Sequence, residues 1–363
     1  MTLKESIESF TYPHLEYLTQ MMIDGGEDAQ WMGIPCLKEE SNFTGGALLL
    51  CCSRLLAYQS EHAPEKAEET QRRWLTFAGW AADKPMKTWG KLSALKSLWR
   101  LKRAGKWDMI PSELLDKLKE RTDYSDFFDA QTMQLIGMAT NYLHVAMAVA
   151  GYRAKLGFET PGMAEKIFAL FLKHLREQSP CGWMDDSKGF GRFDRYSLLI
   201  YPELADTCHA LDIPLPQQVK DGVTQSLNTV LDLCSAQGDG VAYGRSLSAH
   251  GDMSVLEIAS TAAREGWIRG DQQQRVADCC RACLRKTLDF WYNAEKRSFD
   301  LWFDGRTTNR YRQVHRLLEV NLDLCDHLLV TLENLEAGGM ADISMQAVET
   351  VPRAGVDCVR TEF

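Results

Sequence analysis

The stretch that decides the fold is residues 129–156, DAQTMQLIGMATNYLHVAMAVAGYRAKL. Met133, Leu135, Ile136, Met138, Ala139, Leu143, Val145, Ala146, Ala148 and Val149 leave it almost no polar face. The pattern predicts one long helix buried on several sides. Such a helix needs other helices around it, and the rest of the chain supplies them. Helical spacing of apolar residues recurs over 47–56, 74–81, 92–101, 163–177, 197–210, 215–235, 252–265, 270–292 and 313–336. Strand-like alternation of Val, Thr and Ile is nearly absent, so no extensive sheet is expected. No short repeat of the TPR or HEAT kind is present.

The reading is all-α, with about a dozen helices. Short connections and hairpins of about 55 residues suggest an (α/α)6 toroid of six helical hairpins, with inner and outer rings. An irregular all-α domain is the plainer alternative. Residues 1–336 form the expected helical domain, and 337–363, with Gly338, Gly339, Pro352 and Gly355, a loosely structured tail. In a toroid the loops at one end line a funnel, and unusual residues should gather there.

Composition narrows the function. The 363 residues are 45% hydrophobic and 25% charged, so collagen-like and disordered classes are excluded. Fifty acidic against forty-one basic residues give −9 and no long basic run, which argues against a nucleic-acid partner. The longest apolar run, 143–150, is too short to span a membrane. Eleven Cys without an export signal are expected to be reduced thiols in a cytoplasmic protein. Cys280-x-x-Cys283 lacks a second pair at zinc spacing and reads as helix interior.

Four segments carry candidate chemistry. The first, 181–197, packs Trp183, Asp185, Asp186, Phe193, Asp194, Arg195 and Tyr196 among three glycines. Carboxylates, cations and stacking rings together suit a polar binding site. A bridged structural loop is the alternative. The second, 237–252, holds Tyr243, Arg245 and His250, an acid/base and anion-clamping set. A turn tied by Arg245 is its alternative. The third pairs Asn141 and His144, three apart on one helix face. A lone helical His is more often a satisfied core residue. The fourth, 299–306, offers Trp302 and two carboxylates at a rim. No P-loop, GxGxxG, HExxH or GxSxG occurs, so no nucleotide cofactor is expected. Asp185, Asp186 and Asp239 are conceivable Ca²⁺ ligands, but none lies in EF-hand spacing, and no metal is assigned.

The ordered set Asn141, Gly182, Trp183, Asp185 or Asp186, Phe193, Asp194, Tyr196, Asp239, Gly240, Gly244, Arg245, Ser246 and Leu247 resembles domain-of-unknown-function family 2264. That family is related to six-hairpin toroid glycosidases and to heparinase II/III-like lyases. The chain departs from the family at Tyr142, at Ser248-Ala249-His250 and at 198–202, where a His is missing. The resemblance implies a lyase or hydrolase acting on a uronate-containing carbohydrate or related polar small molecule. In elimination, Asn141 and Arg245 would neutralise a substrate carboxylate, while Tyr196 and His250 exchange the protons. In hydrolysis Asp186 and Asp194 would flank the bond. Trp183, Phe193 and Trp302 would stack on rings, with Arg195, Tyr243 and His144 beside the substrate. Two alternatives are a cytoplasmic dehydratase, isomerase or cyclase on an apolar terpenoid or polyketide-like molecule, and an inert helical scaffold.

Overall fold

The computed structural model describes residues 1–37, 43–177, 183–185, 193–242, 248–299 and 317–346. Among them are twelve α-helices: α1 Leu3–Gly25, α2 Thr44–His62, α3 Pro64–Asp83, α4 Thr88–Arg103, α5 Ser112–Arg121, α6 Tyr142–Leu156, α7 Met163–Glu177, α8 Arg195–Leu211, α9 Gln217–Leu233, α10 Ala249–Arg264, α11 Gln273–Lys286 and α12 Leu317–Ala337. The protein is all-α, as its apolar periodicity requires. The described sheet consists of three two-residue antiparallel hairpins: Gln30–Trp31 with Ile34–Pro35, Phe128–Asp129 with Gln134–Leu135, and Tyr292–Asn293 with Ser298–Phe299.

Residues 129–156 do not form one helix. The first part makes the middle hairpin, and α6 begins only at Tyr142. Met133 and Gly137 both take positive φ, which an α-helix does not accommodate. From Leu143 to Tyr152 every residue is buried, so α6 itself is enclosed as its composition demands.

The even-numbered helices pack in a closed cycle. Helix α2 contacts α4, then α4 contacts α6, α6 contacts α8, α8 contacts α10, α10 contacts α12, and α12 returns to α2. Their direction follows from matched side-chain pairs. Ser97 of α4 donates to the Leu49 carbonyl of α2, near where a Cβ on Gly46 would lie 1.9 Å from the Gly90 oxygen. Trp89 meets Tyr142 and Lys102 meets Lys155 across α4 and α6. His144 meets Thr207 and Gly151 meets Leu211 across α6 and α8. Arg195 meets Ser254 and Asp206 meets Arg264 across α8 and α10. His250 meets Asp323 and Arg264 meets Asn334 across α10 and α12. Cys51 meets Leu322 and Arg54 meets Glu333 across α2 and α12. In each pair of helices the later residue of one meets the later residue of the other, so all six run the same way, with α6 staggered along α8 so that its start lies beside Glu203 and Thr207.

The odd-numbered helices pack outside: α1 on α2 and α12, α3 on α2, α7 on α6, α9 on α8 and α10, and α11 on α10. Helix α5 packs on α3. All six inner N-termini therefore share one end, here called the mouth. The sequence segments 178–194, 236–248 and 300–316 immediately precede α8, α10 and α12, which begin at that end.

Of the expected tail, residues 341–345 are tied to the start of α1. Leu3 and Lys4 donate to the Ile343 and Ala341 carbonyls, and Met345 donates to that of Met1. Residues 347–363 lie outside the described residues. No described helix is long and apolar enough to cross a membrane.

Candidate functional site

Helix α8 starts at Asp194, whose carboxylate accepts from the Tyr196 amide at 2.9 Å. The Ser197 hydroxyl accepts from the Asp194 amide at 3.0 Å and donates to the Met184 carbonyl at 2.7 Å. Asp194 thus caps the helix and is buried. The next residue, Arg195, is buried and faces α10. Its Nε donates to the His250 carbonyl at 3.0 Å and to Ser254 at 2.7 Å.

From Arg195 a chain of charged groups runs across three helices and closes on itself. Arg195 Nη2 donates to Glu257 Oε1 at 2.9 Å. Glu257 Oε2 lies 3.1 Å from His327 Nδ1. His327 Nε2 lies 3.5 Å from Asp323 Oδ1, and Asp323 Oδ2 lies 2.8 Å from His250 Nε2. The His250 carbonyl returns to Arg195. The Asp323 and His327 side chains remain 34% and 26% exposed, while His250 is fully enclosed. A bound molecule would therefore meet Asp323 and His327 first, with His250 behind them.

The electrostatics follow from this closure. Burial alone would lower the proton affinity of His327, but Glu257 and Asp323 outweigh it and raise its pKa to about 10. Burial would raise the Glu257 carboxyl, but His327 and Arg195 hold it below its ordinary value. An imidazolium thus stands between two carboxylates, with a second imidazole on the far side of one of them. Such an array can take up and release protons.

The sequence-predicted residues divide into groups. Asp194, Arg195, Tyr196 and His250 come together at the starts of α8 and α10. Asn141 sits buried at the start of α6, and the contacts of nearby His144 with Glu203 and Thr207 set that start beside the second half of α8, beyond Tyr196. Trp183 and Phe193 flank the α8 cap and are partly buried. His144 is not part of the circuit. It is buried between α6 and α8, 2.8 Å from Thr207 Oγ1 and 3.3 Å from Glu203, the placement of a core histidine. Asp186, Tyr243, Arg245 and Trp302 lie outside the described residues. Asp239, once a conceivable calcium ligand, binds Ser235 at 2.6 Å and Lys286 at 2.5 Å. No cluster of three or more His, Cys, Asp or Glu suited to a metal occurs among the described residues.

Asp323, His327 and Glu257 were not singled out by sequence. Two further aromatic rings at the mouth, Trp89 and Tyr142, were missed as well; their centroids are 6.4 Å apart. Three of the six inner helices (α2, α4 and α6) have no acidic residue at the cap or in the first turn, whereas the Asp194 carboxylate caps α8. Their amide N–H groups and partial positive charge are thus not offset by first-turn carboxylates, which favours anions at the mouth.

The opposite end is built differently. Arg54 reaches from Asp326, midway along α12 and next to His327, to Glu333 nearer the helix end, and Arg100 binds both Glu333 oxygens at 2.7 Å. Asp206 accepts from Thr261 at 3.0 Å and Arg264 at 2.8 Å. Two clefts, of about 570 and 490 Å³, lie at the C-terminal ends of α4 and α8 and beside the end of α10. The larger is lined by Trp99, Arg103, His209 and Asp212. Neither touches the circuit, so cleft size does not locate the acid/base groups. Comparisons with family models and with curated proteins found no match.

Proposed function

We propose that the inner ring is an (α/α)6 toroid whose mouth is the active site of an acid/base enzyme, a lyase or hydrolase acting on an anionic sugar or related polar molecule. The observation that carries the reading is the closed circuit Arg195–Glu257–His327–Asp323–His250. Ionisable groups from three helices meet there and remain reachable from solvent. Uncompensated helix N-termini favour an anionic substrate, and Trp89, Tyr142, Trp183 and Phe193 supply rings for stacking on sugars.

Asp323 is the group placed to exchange a proton with the substrate, and His250 is its internal partner. His250 and Asp323 act as a couple in which the hydrogen bond fixes the imidazole tautomer. In elimination, a base removes the proton beside the substrate carboxylate. The carbon–oxygen bond then breaks, a carbon–carbon double bond forms, and the leaving oxygen takes a proton from the acid. Tyr196 is the second proton-transfer group, with Asn141 and Arg245 assigned to the substrate carboxylate. Each proton transfer assisted in this way contributes about 10²–10⁴-fold.

The charged lining speaks against an apolar terpenoid-like substrate. One observation favours an inert scaffold: Asp194 and Arg195 both secure helix ends. The nine cysteines among the described residues are buried thiols, which fits a cytoplasmic location.

Incubation with a panel of uronate-containing oligosaccharides tests the reading. Elimination produces an ultraviolet-absorbing conjugated double bond, and hydrolysis a new reducing end without it. Failure to form either product across the panel rejects the carbohydrate reading.

A further inference from the structure

We propose that Cys234 and Cys283 form a redox modification site that takes a low-molecular-weight disulfide as its oxidant and staples the α9–α10 connection to α11. The inference does not depend on the proposed function. Its basis is a contact the Cys280-x-x-Cys283 spacing does not show. The Cys283 sulfur lies 3.7 Å from that of Cys234, at the C-terminal cap of α9. Both residues are thiols. A disulfide needs about 2.05 Å, so the sulfurs must close by roughly 1.7 Å, within reach of side-chain rotation and a small backbone shift.

Access is governed by one turn of chain. The Cys283 thiol donates to the Gly238 carbonyl at 3.5 Å, and Ala236, Gln237 and Asp239 around that glycine are exposed. Lifting this turn uncovers the pair. Gly238 has φ +85°, and a Cβ there would lie 2.3 Å from the Ala282 oxygen, so the turn already rests tightly on α11. The hydrogen bond to Cys234 favours the Cys283 thiolate, but burial and the neighbouring Cys280 and Cys279 outweigh it and raise the pKa. Reaction therefore speeds up as pH rises.

The exchange balances. The Cys234 thiolate attacks one sulfur of oxidised glutathione and releases one glutathione thiolate. The Cys283 thiolate then attacks the Cys234 sulfur of the mixed disulfide and releases the second. The two protein protons end on the two glutathiones, which gain the two electrons the protein loses.

The same connection leads into the start of α10. The Gly240 amide donates to Asp252 at 2.7 Å and the Val241 amide to the Gly251 carbonyl at 3.0 Å. Lys286 of α11 joins Asp239 at 2.5 Å and Asp252 at 2.7 Å. A covalent bond one turn away should therefore slow the opening of these amides.

The test is peptide mapping of the intact protein after equilibration with oxidised glutathione, with hydrogen exchange on the same sample. A Cys234–Cys283 link is expected, absent in Cys283→Ser and retained in Cys280→Ser. Exchange at Gly240 and Val241 should slow by about tenfold. A Cys280–Cys283 link, or thiols that all stay reduced in wild-type protein, overturns the site. Unchanged exchange in the linked protein overturns the coupling to α10.

Discussion

The two ends of the ring draw on the same inner helices and carry the same kinds of charge, yet only the mouth joins its carboxylates through imidazoles. At the base, Arg54 and Arg100 clamp Glu333. Burial would raise that carboxyl, but the two guanidiniums overcome it and bring its pKa to about 2. Arginine does not give up its proton, so this cluster holds helices together and exchanges nothing near neutral pH. At the mouth, Asp323 touches two imidazoles, His250 and His327; His327 is held charged up to about pH 10 by its two carboxylates, so the Asp323–His250 couple is the pair that passes a proton. The difference between a strut and a reactive array therefore lies in which cation faces the carboxylate.

The sharpest way to break the comparison is to neutralise one carboxylate at each end. Asp323→Asn should lower turnover on the substrate found in the panel by about 10²–10⁴-fold. Glu333→Gln should leave turnover within about threefold, because it makes no proton transfer. Equal losses would erase the distinction between the ends.

Stability should show the reverse ordering. Arg54→Met leaves Asp326 and Glu333 without their buried partner. It should cost about 3 kcal/mol in urea unfolding, the lower part of the range for broken buried pairs because Glu333 is half exposed. Asp194 gives the smallest effect. Asp194→Ala should cost about 1 kcal/mol by loss of the α8 cap, and Asp194→Asn much less. A large loss of turnover in a stably folded Asp194→Asn protein would return Asp194 to the chemistry.

Much of the fold was legible because burial imposes a period. Helix α7 runs over Met163–Glu177, the range its apolar spacing gives. The failures have local causes. Helix α1 passes through Pro13, an interior breaker by propensity, although Thr2 and Glu5 form a capping box that marks its start. Helix α5 is mostly exposed and has only Leu118 fully buried, so it lacks an apolar stripe. The apolar residues of 133–138 belong to a hairpin and the turn after it, which periodicity cannot separate from a helix.

The site was half legible. Loop composition pointed to Arg195 and His250, both of which lie in the circuit. Their partners sit within helices: Glu257 on α10, and Asp323 and His327 one turn apart on α12. A signal for the last two was present. Asp323, Asp326 and His327 interrupt a run of buried Leu322, Leu324, Cys325 and Leu328. Charges in an apolar helix need partners, but sequence does not say on which helix those partners lie.

The most direct measurement is the protonation of the His250 and His327 rings, followed by nitrogen NMR as pH is raised. His327 should keep both ring protons until about pH 10. Its folded value is raised, so its contribution to stability is full below its ordinary value of 6.5 and is lost as pH climbs through about 10. A His327 that loses its proton near 6.5 would mean that Glu257 and Asp323 do not flank it, and the circuit at the mouth would not exist.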